Sequence, residues 1–374
     1  MDYCYYSVYS ALKYSFTHFL SDYICIPDQN YIVRKFFKIL KWLLGLLIIL
    51  ILIIYFRPAW TPSIAAAKGK RSVASLKTIE LGKIKQYVLI RSNDINNPIL
   101  LFIHGGPGMP LMYLSNTFQR PLEQKFIVVQ WDQRGAGKSY DPTIPTASIN
   151  VEQYLADAVQ LIDTLLTRYH QKKIFLAGHS WGTYLSSLLV QRHPELFYAY
   201  ISIGQVVDGD MARKIQKAFL SSEATKRNDT ALLNKLRQPD FSSFENYLFK
   251  YGGELKHETS FTPLVITGLF STEYTFRDAL NVAKGPQFCG KYMNYNAIKG
   301  SILRNIKTYE VPVFFLAGTH DYTTPFPLIK QYYDSIQAPS KQIIWFNESA
   351  HFPFYEEAKK FDSVMIYQIL NSVK

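Results

Sequence analysis

A chain of 374 residues can bury a large core, and 48% hydrophobic with 15% aromatic residues excludes a disordered or low-complexity polymer. Its 41 Lys and Arg against 29 Asp and Glu leave a net charge of +12, yet the basic residues are scattered and no nucleic-acid motif accompanies them. The excess therefore reads as solvated surface, with attraction to an anionic membrane surface as the second reading, and Cys4, Cys25 and Cys289 form no disulfide framework from which a compartment could be read.

Residues 1–33 are rich in Tyr and Ser with no period, and residues 1–38 read as an N-terminal extension. From Val33 onward the sequence has the form of a complete basic-then-apolar leader, which raises the hypothesis of a later native start, tested by N-terminal sequencing. Trp42 to Phe56 is an uninterrupted apolar run of 15 residues, and Ile39 and Leu40 across Lys41 extend it to a segment at 39–56. Lys41 can snorkel to the headgroups. This length is at the low end for a spanning helix, but the run is too apolar all round for a surface helix, which favours a single transmembrane anchor over a buried core helix. A cleaved signal is the competitor, because Ala65-Ala66-Ala67 offers a cleavage site, but those alanines lie well past the run, beyond Pro58 and Pro62. Arg34, Lys35, Lys38 and Lys41 crowd the N-terminal flank against Arg57 on the other, so the N-terminus is expected in the cytoplasm and the remainder outside, an asymmetry that Lys68, Lys70 and Arg71 weaken.

Residues 57–75 read as a linker. From about Leu76 short apolar runs alternate with helical stretches: Lys83 to Ile90, Pro98 to Ile103, Phe126 to Trp131, Lys173 to Ala177, Tyr198 to Ile203, Val311 to Ala317 and Gln342 to Phe346 read as strands. Between Val151 and Tyr169, Leu155, Val159, Ile162, Leu165 and Leu166 share one helix face. Such alternation predicts an α/β architecture, a mostly parallel twisted sheet with helices on both faces. It stops after the strand that ends at Ile203, the sixth expected of the whole sheet. Residues 205–299 are helical in pattern and crowded with aromatics, among them Phe241, Phe244, Tyr247, Phe249, Tyr251, Phe261, Phe270, Tyr274 and Phe276. They read as a helical cap inserted between two parts of one core, 76–204 and 300–374, with most of the aromatics forming the cap's own interior.

The chemistry centres on Gly178-His179-Ser180-Trp181-Gly182, preceded by a strand and followed by a helix. A strand that turns into a helix at Gly-x-Ser-x-Gly exposes the serine hydroxyl above the sheet, which makes Ser180 the candidate nucleophile. Serine needs a base and an orienting acid. Asp321 and His351 each follow a strand, in loops at the carboxyl edge where Ser180 also emerges, and Asp334 is the weaker candidate for the orienting acid because it falls in a helix. His179 and His320 read as structural neighbours. The developing oxyanion requires two fixed N–H groups, expected from Trp181 at a helix start and Gly106 in His104-Gly105-Gly106-Pro107-Gly108. Gly137-Lys138-Ser139 imitates the end of a phosphate loop, but Asp132 stands where that loop needs glycine and Tyr140-Asp141-Pro142 breaks the required helix.

These motifs, with Trp131-Asp132-Gln133-Arg134-Gly135-Ala136-Gly137-Lys138-Ser139, together resemble the proline iminopeptidase family of α/β-hydrolase serine peptidases. The resemblance covers roughly Leu76 to Gly204 and resumes at Val311. It implies a triad of Ser180, Asp321 and His351, an oxyanion hole of Gly106 and Trp181, and a bordering structural loop at Asp132–Ser139. It also implies release of an N-terminal residue such as proline from short peptides through an acyl-enzyme, with cap carboxylates on the free amine and no metal or organic cofactor. The cap, however, begins Gly204-Gln205-Val206-Val207 rather than with the family's arginine-glycine, and Glu223, Glu245, Glu254, Glu258 and Glu273 all remain as amine-binding acids. An esterase or other acyl hydrolase is the alternative enzyme, and a non-catalytic membrane-tethered binder the alternative class. A serine at position 180 argues against the aspartate-dependent dehalogenases and epoxide hydrolases of this fold. Expected partners are a short peptide or small acyl substrate and, through residues 39–56, membrane lipid; no nucleic acid is expected.

Overall fold

A computed structural model of the protein describes residues 29–238, 244–294 and 305–373. Most of the expected N-terminal extension and Phe241 of the aromatic set lie outside these. The chain divides into two compact units, Met1–Arg57 and Pro58–Lys374.

The first unit contributes helix α1 (Gln29–Phe56). It begins ten residues before the expected segment because Arg34, Lys35 and Lys38 are good helix formers and carry the helix through the basic flank. Within it Val33–Phe56 is long and apolar enough to cross a membrane, and its large side chains are exposed on all sides. Those 24 residues rise about 36 Å, against a hydrocarbon core of roughly 30 Å.

The second unit is built on eight strands: β1 (Val73–Leu81), β2 (Ile84–Ser92), β3 (Ile99–Ile103), β4 (Ile127–Trp131), β5 (Ile174–His179), β6 (Phe197–Ile203), β7 (Val313–Gly318) and β8 (Lys341–Phe346). They form one sheet in the order β1-β2-β4-β3-β5-β6-β7-β8. The first two pairings are antiparallel and the rest parallel, as the alternating pattern predicts. β1 escaped the sequence reading, which placed its start in the linker. As an edge strand paired only with β2, it needs no continuous apolar run and carries Lys77, Thr78 and Glu80.

Period-two alternation divides the core. Ile99, Leu101 and Ile103 of β3 face helices α2 (Val151–Tyr169) and α3 (Trp181–Arg192), while Leu100 and Phe102 face Phe118, Phe354 and Phe361 on the other side. Asn150 caps α2 by accepting the Gln153 N–H at 2.9 Å, and Leu155, Ile162 and Leu165 are buried beneath it. Arg134 and Asp157, both essentially inaccessible, pair at 2.9 Å, and Asp157 also accepts from Gln86 at 2.6 Å. Asp157→Ala should cost about 3–5 kcal/mol because it strands a buried guanidinium; urea midpoints of the two proteins measure it, and a change below 1 kcal/mol would contradict this account.

Between β6 and β7 lie helices α4 (Gly209–Lys226), α5 (Thr230–Leu236), α6 (Phe244–Lys250), α7 (Thr262–Phe270) and α8 (Phe276–Tyr292). Leu220, Ala224, Leu232, Leu236, Phe244 and Leu248 give α4–α6 a small core of their own. By contrast Leu264, Tyr274 and Val282 of the following stretch join the core beneath the sheet. Helix α9 (Phe326–Ser335) then links β7 to β8.

Candidate active site

The order of the sheet places the crossover reversal between β3 and β5, and the loops after both strands meet there. Ser180 sits between β5 and α3 with φ 53° and ψ −123°, a left-handed conformation that an L-residue adopts only when its surroundings impose it. They do so here: the Ser180 N–H donates to Ile203 O at 3.0 Å, and Ser180 O accepts from the Thr183 N–H at 2.8 Å and its hydroxyl at 2.6 Å. Glycine flanks the serine for steric reasons. A Cβ at Gly178 would lie 2.6 Å from Gly182 O, and one at Gly182 would overlap the Ile103 carbonyl.

Asp321 follows β7 and His351 follows β8. His351 Nδ1 donates to Asp321 Oδ2 at 2.8 Å, and both side chains are inaccessible. Asp321 is fixed in turn by Thr324, whose N–H and hydroxyl each donate to it at 2.8 Å. Thr324 was missed in the sequence, although Asp-x-x-Thr after a strand is a recognisable side-chain turn. Burial would lower the His351 imidazole, but the Asp321 charge, its hydrogen bond and the carboxylates of Glu254 and Glu356 outweigh that and raise it to about 8. Gly204, where β6 ends, lies against the imidazole, since a Cβ there would be 3.0 Å from its Cε1 and Nδ1. Ser180, Asp321 and His351 thus leave the same edge of the sheet, from β5, β7 and β8.

Around them the neighbouring histidines are neutral supports. His104 Nε2 accepts from the Gln133 N–H at 3.0 Å, which leaves Nδ1 to donate to Gly105 O at 2.9 Å. Burial lowers its pKa to about 4. His179 donates through Nε2 to His351 O at 2.9 Å, and burial holds it far below the usual range. His320 lies beside Thr319 on the rim.

The glycine loop after β3 approaches the serine closely: a Cβ at Gly105 would be 3.1 Å from Ser180 Cβ. Gly106 follows with φ +112°, and Trp181 is the first residue of α3, whose N–H has no acceptor within its helix. The loop is braced from two sides. Gln133 grips both ends of His104, donating to His104 O at 3.1 Å, while Gly108 packs against Gly285 of α8. The rest of the Asp132–Ser139 stretch fastens the insertion. Lys138 pairs with Asp278 at 2.5 Å, and Tyr274 donates to Asp132, whose carboxyl burial raises to about 7.

Of the five acids, Glu223 pairs with Lys226 and Arg227, Glu245 and Glu258 are exposed, and Glu273 is bound by Ser271, Thr272 and Thr61. Glu254 alone among them is buried beside the dyad. Its backbone oxygen accepts the His351 N–H at 2.9 Å, its carboxyl accepts from Thr323, and burial raises it to about 7. Gln205, the departure at the head of the insertion, accepts from Ser202 and Tyr200 of β6 and donates to the Thr183 hydroxyl at 3.3 Å, and so knits β6 to α3.

Comparison with known proteins bears on the fold and the family. The family described as the α/β hydrolase fold matches residues 98–358. A probable aminopeptidase of Bacillus subtilis is 33% identical over 309 residues, spanning 79% of this chain and 96% of that protein. A proline iminopeptidase of Heyndrickxia coagulans is 24% identical over 287 residues, 75% of this chain and 93% of its own. The crystal structure of a proline iminopeptidase from Mycobacterium smegmatis superposes with a TM-score of 0.59 at 19% identity, over 80% of this chain and 98% of that one.

Proposed function

The chain belongs to the α/β-hydrolase fold family, and within it we propose a membrane-anchored serine aminopeptidase of the proline iminopeptidase type, releasing an N-terminal residue such as proline from short peptides. The observation that carries the reading is the buried Asp321–His351 pair at the sheet edge where Ser180 is held on its left-handed turn. Ser180 Oγ attacks the substrate carbonyl as His351 takes its proton through Nε2; Asp321 holds the imidazolium. The oxyanion is met by the N–H groups of Gly106 and Trp181. His351 then protonates the leaving amine, and water, deprotonated by the same imidazole, releases the acyl group. The residues after β6, 205–299, serve as the cap, and its Glu254 meets the substrate ammonium.

Because acylation needs neutral His351, the acidic limb of the kcat/KM profile is expected near pH 8, with activity rising as pH increases through it. A limb near the ordinary histidine value would show that the carboxylates around His351 do not act on it. Glu254→Gln should lower kcat/KM for free-amine substrates about 10- to 100-fold, mainly through KM.

The deciding assay sets prolyl and alanyl arylamides against their N-acetylated forms and a short acyl ester, using the full chain. Turnover of free amines with rejection of acetylated ones, and loss of that discrimination in Glu254→Gln, supports the aminopeptidase. Indifference to acetylation would move the assignment to the esterase reading. Helix α1 serves as an uncleaved anchor, N-terminus in the cytoplasm and catalytic unit outside; resistance to alkaline carbonate extraction at full length is the expected result.

A further inference from the structure

Helix α7, Thr262-Pro263-Leu264-Val265-Ile266-Thr267-Gly268-Leu269-Phe270, contains no charged residue. Its inner side is seated closely: Leu264 is buried, and a Cβ at Gly268 would lie 2.8 Å from the Tyr113 ring. Its outer side is equally apolar. Val265, Ile266, Leu269 and Phe270 are exposed, Phe270 by 74%. A helix apolar all round belongs in a core or in lipid, and a contiguous exposed apolar surface marks an interaction site.

The path of the chain identifies the occupant. The Trp60 N–H donates to Thr272 O at 2.9 Å, and the Thr61 hydroxyl donates to Glu273 at 3.1 Å, so the segment leaving α1 is stitched to the residues directly after Phe270. Arg91 holds the same segment from the core, donating to Thr61 and, at 2.6 Å, to Pro62 O. From Phe56, the last residue of α1, to Trp60 the chain can reach at most about 14 Å. Trp60 is itself half exposed, and tryptophan concentrates at the membrane–water boundary.

We infer that α7 lies in the headgroup region of the membrane that holds α1, with Val265, Ile266, Leu269 and Phe270 inserted into its apolar boundary. The inference rests on the anchoring proposed above. In-plane helices of this kind sink their apolar faces roughly 5–10 Å, a depth within reach of so short a tether.

The test uses the full chain carrying Cys4→Ser and Cys25→Ser, because Cys289 is buried with its thiol pushed up to about 11 by burial. Phe270→Cys and, separately, Ile266→Cys are labelled with an environment-sensitive fluorophore in phosphatidylcholine–phosphatidylglycerol liposomes. Lys217→Cys, on the exposed side of α4, is the reference. Labels at 266 and 270 should lose most emission to doxyl-labelled lipid and little to iodide, with the reverse at 217. Iodide quenching at 266 and 270 equal to that at 217 would overturn the inference, as would protection from both quenchers together with a crosslinked dimer, which would assign the surface to a second copy. Flotation after alkaline carbonate is read on the same samples. Its loss would remove the anchor and this inference with it; its persistence with water-exposed labels would overturn this inference alone.

Discussion

Ser180→Ala is expected to lower kcat by about 10⁶-fold, the loss seen when a nucleophile acting as one unit with its base is removed. The substitution deletes one oxygen and leaves the main-chain bonds to Ile203 and Thr183 that hold the turn. Tm should therefore stay at the wild-type value, which separates lost chemistry from lost fold. The check is arylamide hydrolysis beside a thermal melt. A variant with intact fold and activity within tenfold of the parent would dismiss Ser180 as the nucleophile.

Asp321→Asn should cost about 10⁴-fold in kcat. Asp321 Oδ2 accepts from both His351 Nδ1 and the Thr324 hydroxyl, and an amide NH₂ turned toward the ring favours the tautomer with Nε2 protonated, which cannot take a proton from serine. Its charge also contributes to raising His351 toward 8, so the residual activity should have its acidic limb displaced to lower pH. A purely structural role would reduce the rate and leave the limb in place, and that outcome would reject the assignment.

Much of this arrangement was legible in the chain because it is written locally. The Ser180 turn needs small residues at 178 and 182, and Asp321 and His351 each follow an apolar strand within a few residues. What depends on distant contacts was not. Nothing in Tyr251-Gly252-Gly253-Glu254 distinguishes its acid from four others until His351 is seen bonded to its backbone. β1 was hidden because an edge strand can be half polar, and the start of α1 because basic residues extend a helix without extending its apolar run. Phe270 misled in the opposite sense: an aromatic in a helical pattern reads as core, yet its side chain faces outward.

The separate little core of α4–α6 bears on how such an enzyme can diverge. Six or so apolar side chains, each worth roughly 1.5–3 kcal/mol when buried, hold that lobe together without drawing on the layers beneath the sheet. The lobe touches the chemistry along one side, through stacking of Phe219 on Tyr322, the bond from Gln216 to Thr323 and the Glu254 loop. If residues 205–299 act as the proposed cap, replacements inside the lobe can reshape what reaches the dyad while the strands keep it in register. On that proposed role, stability and selectivity are entrusted to different parts of the chain, so descendants can change diet without first becoming fragile.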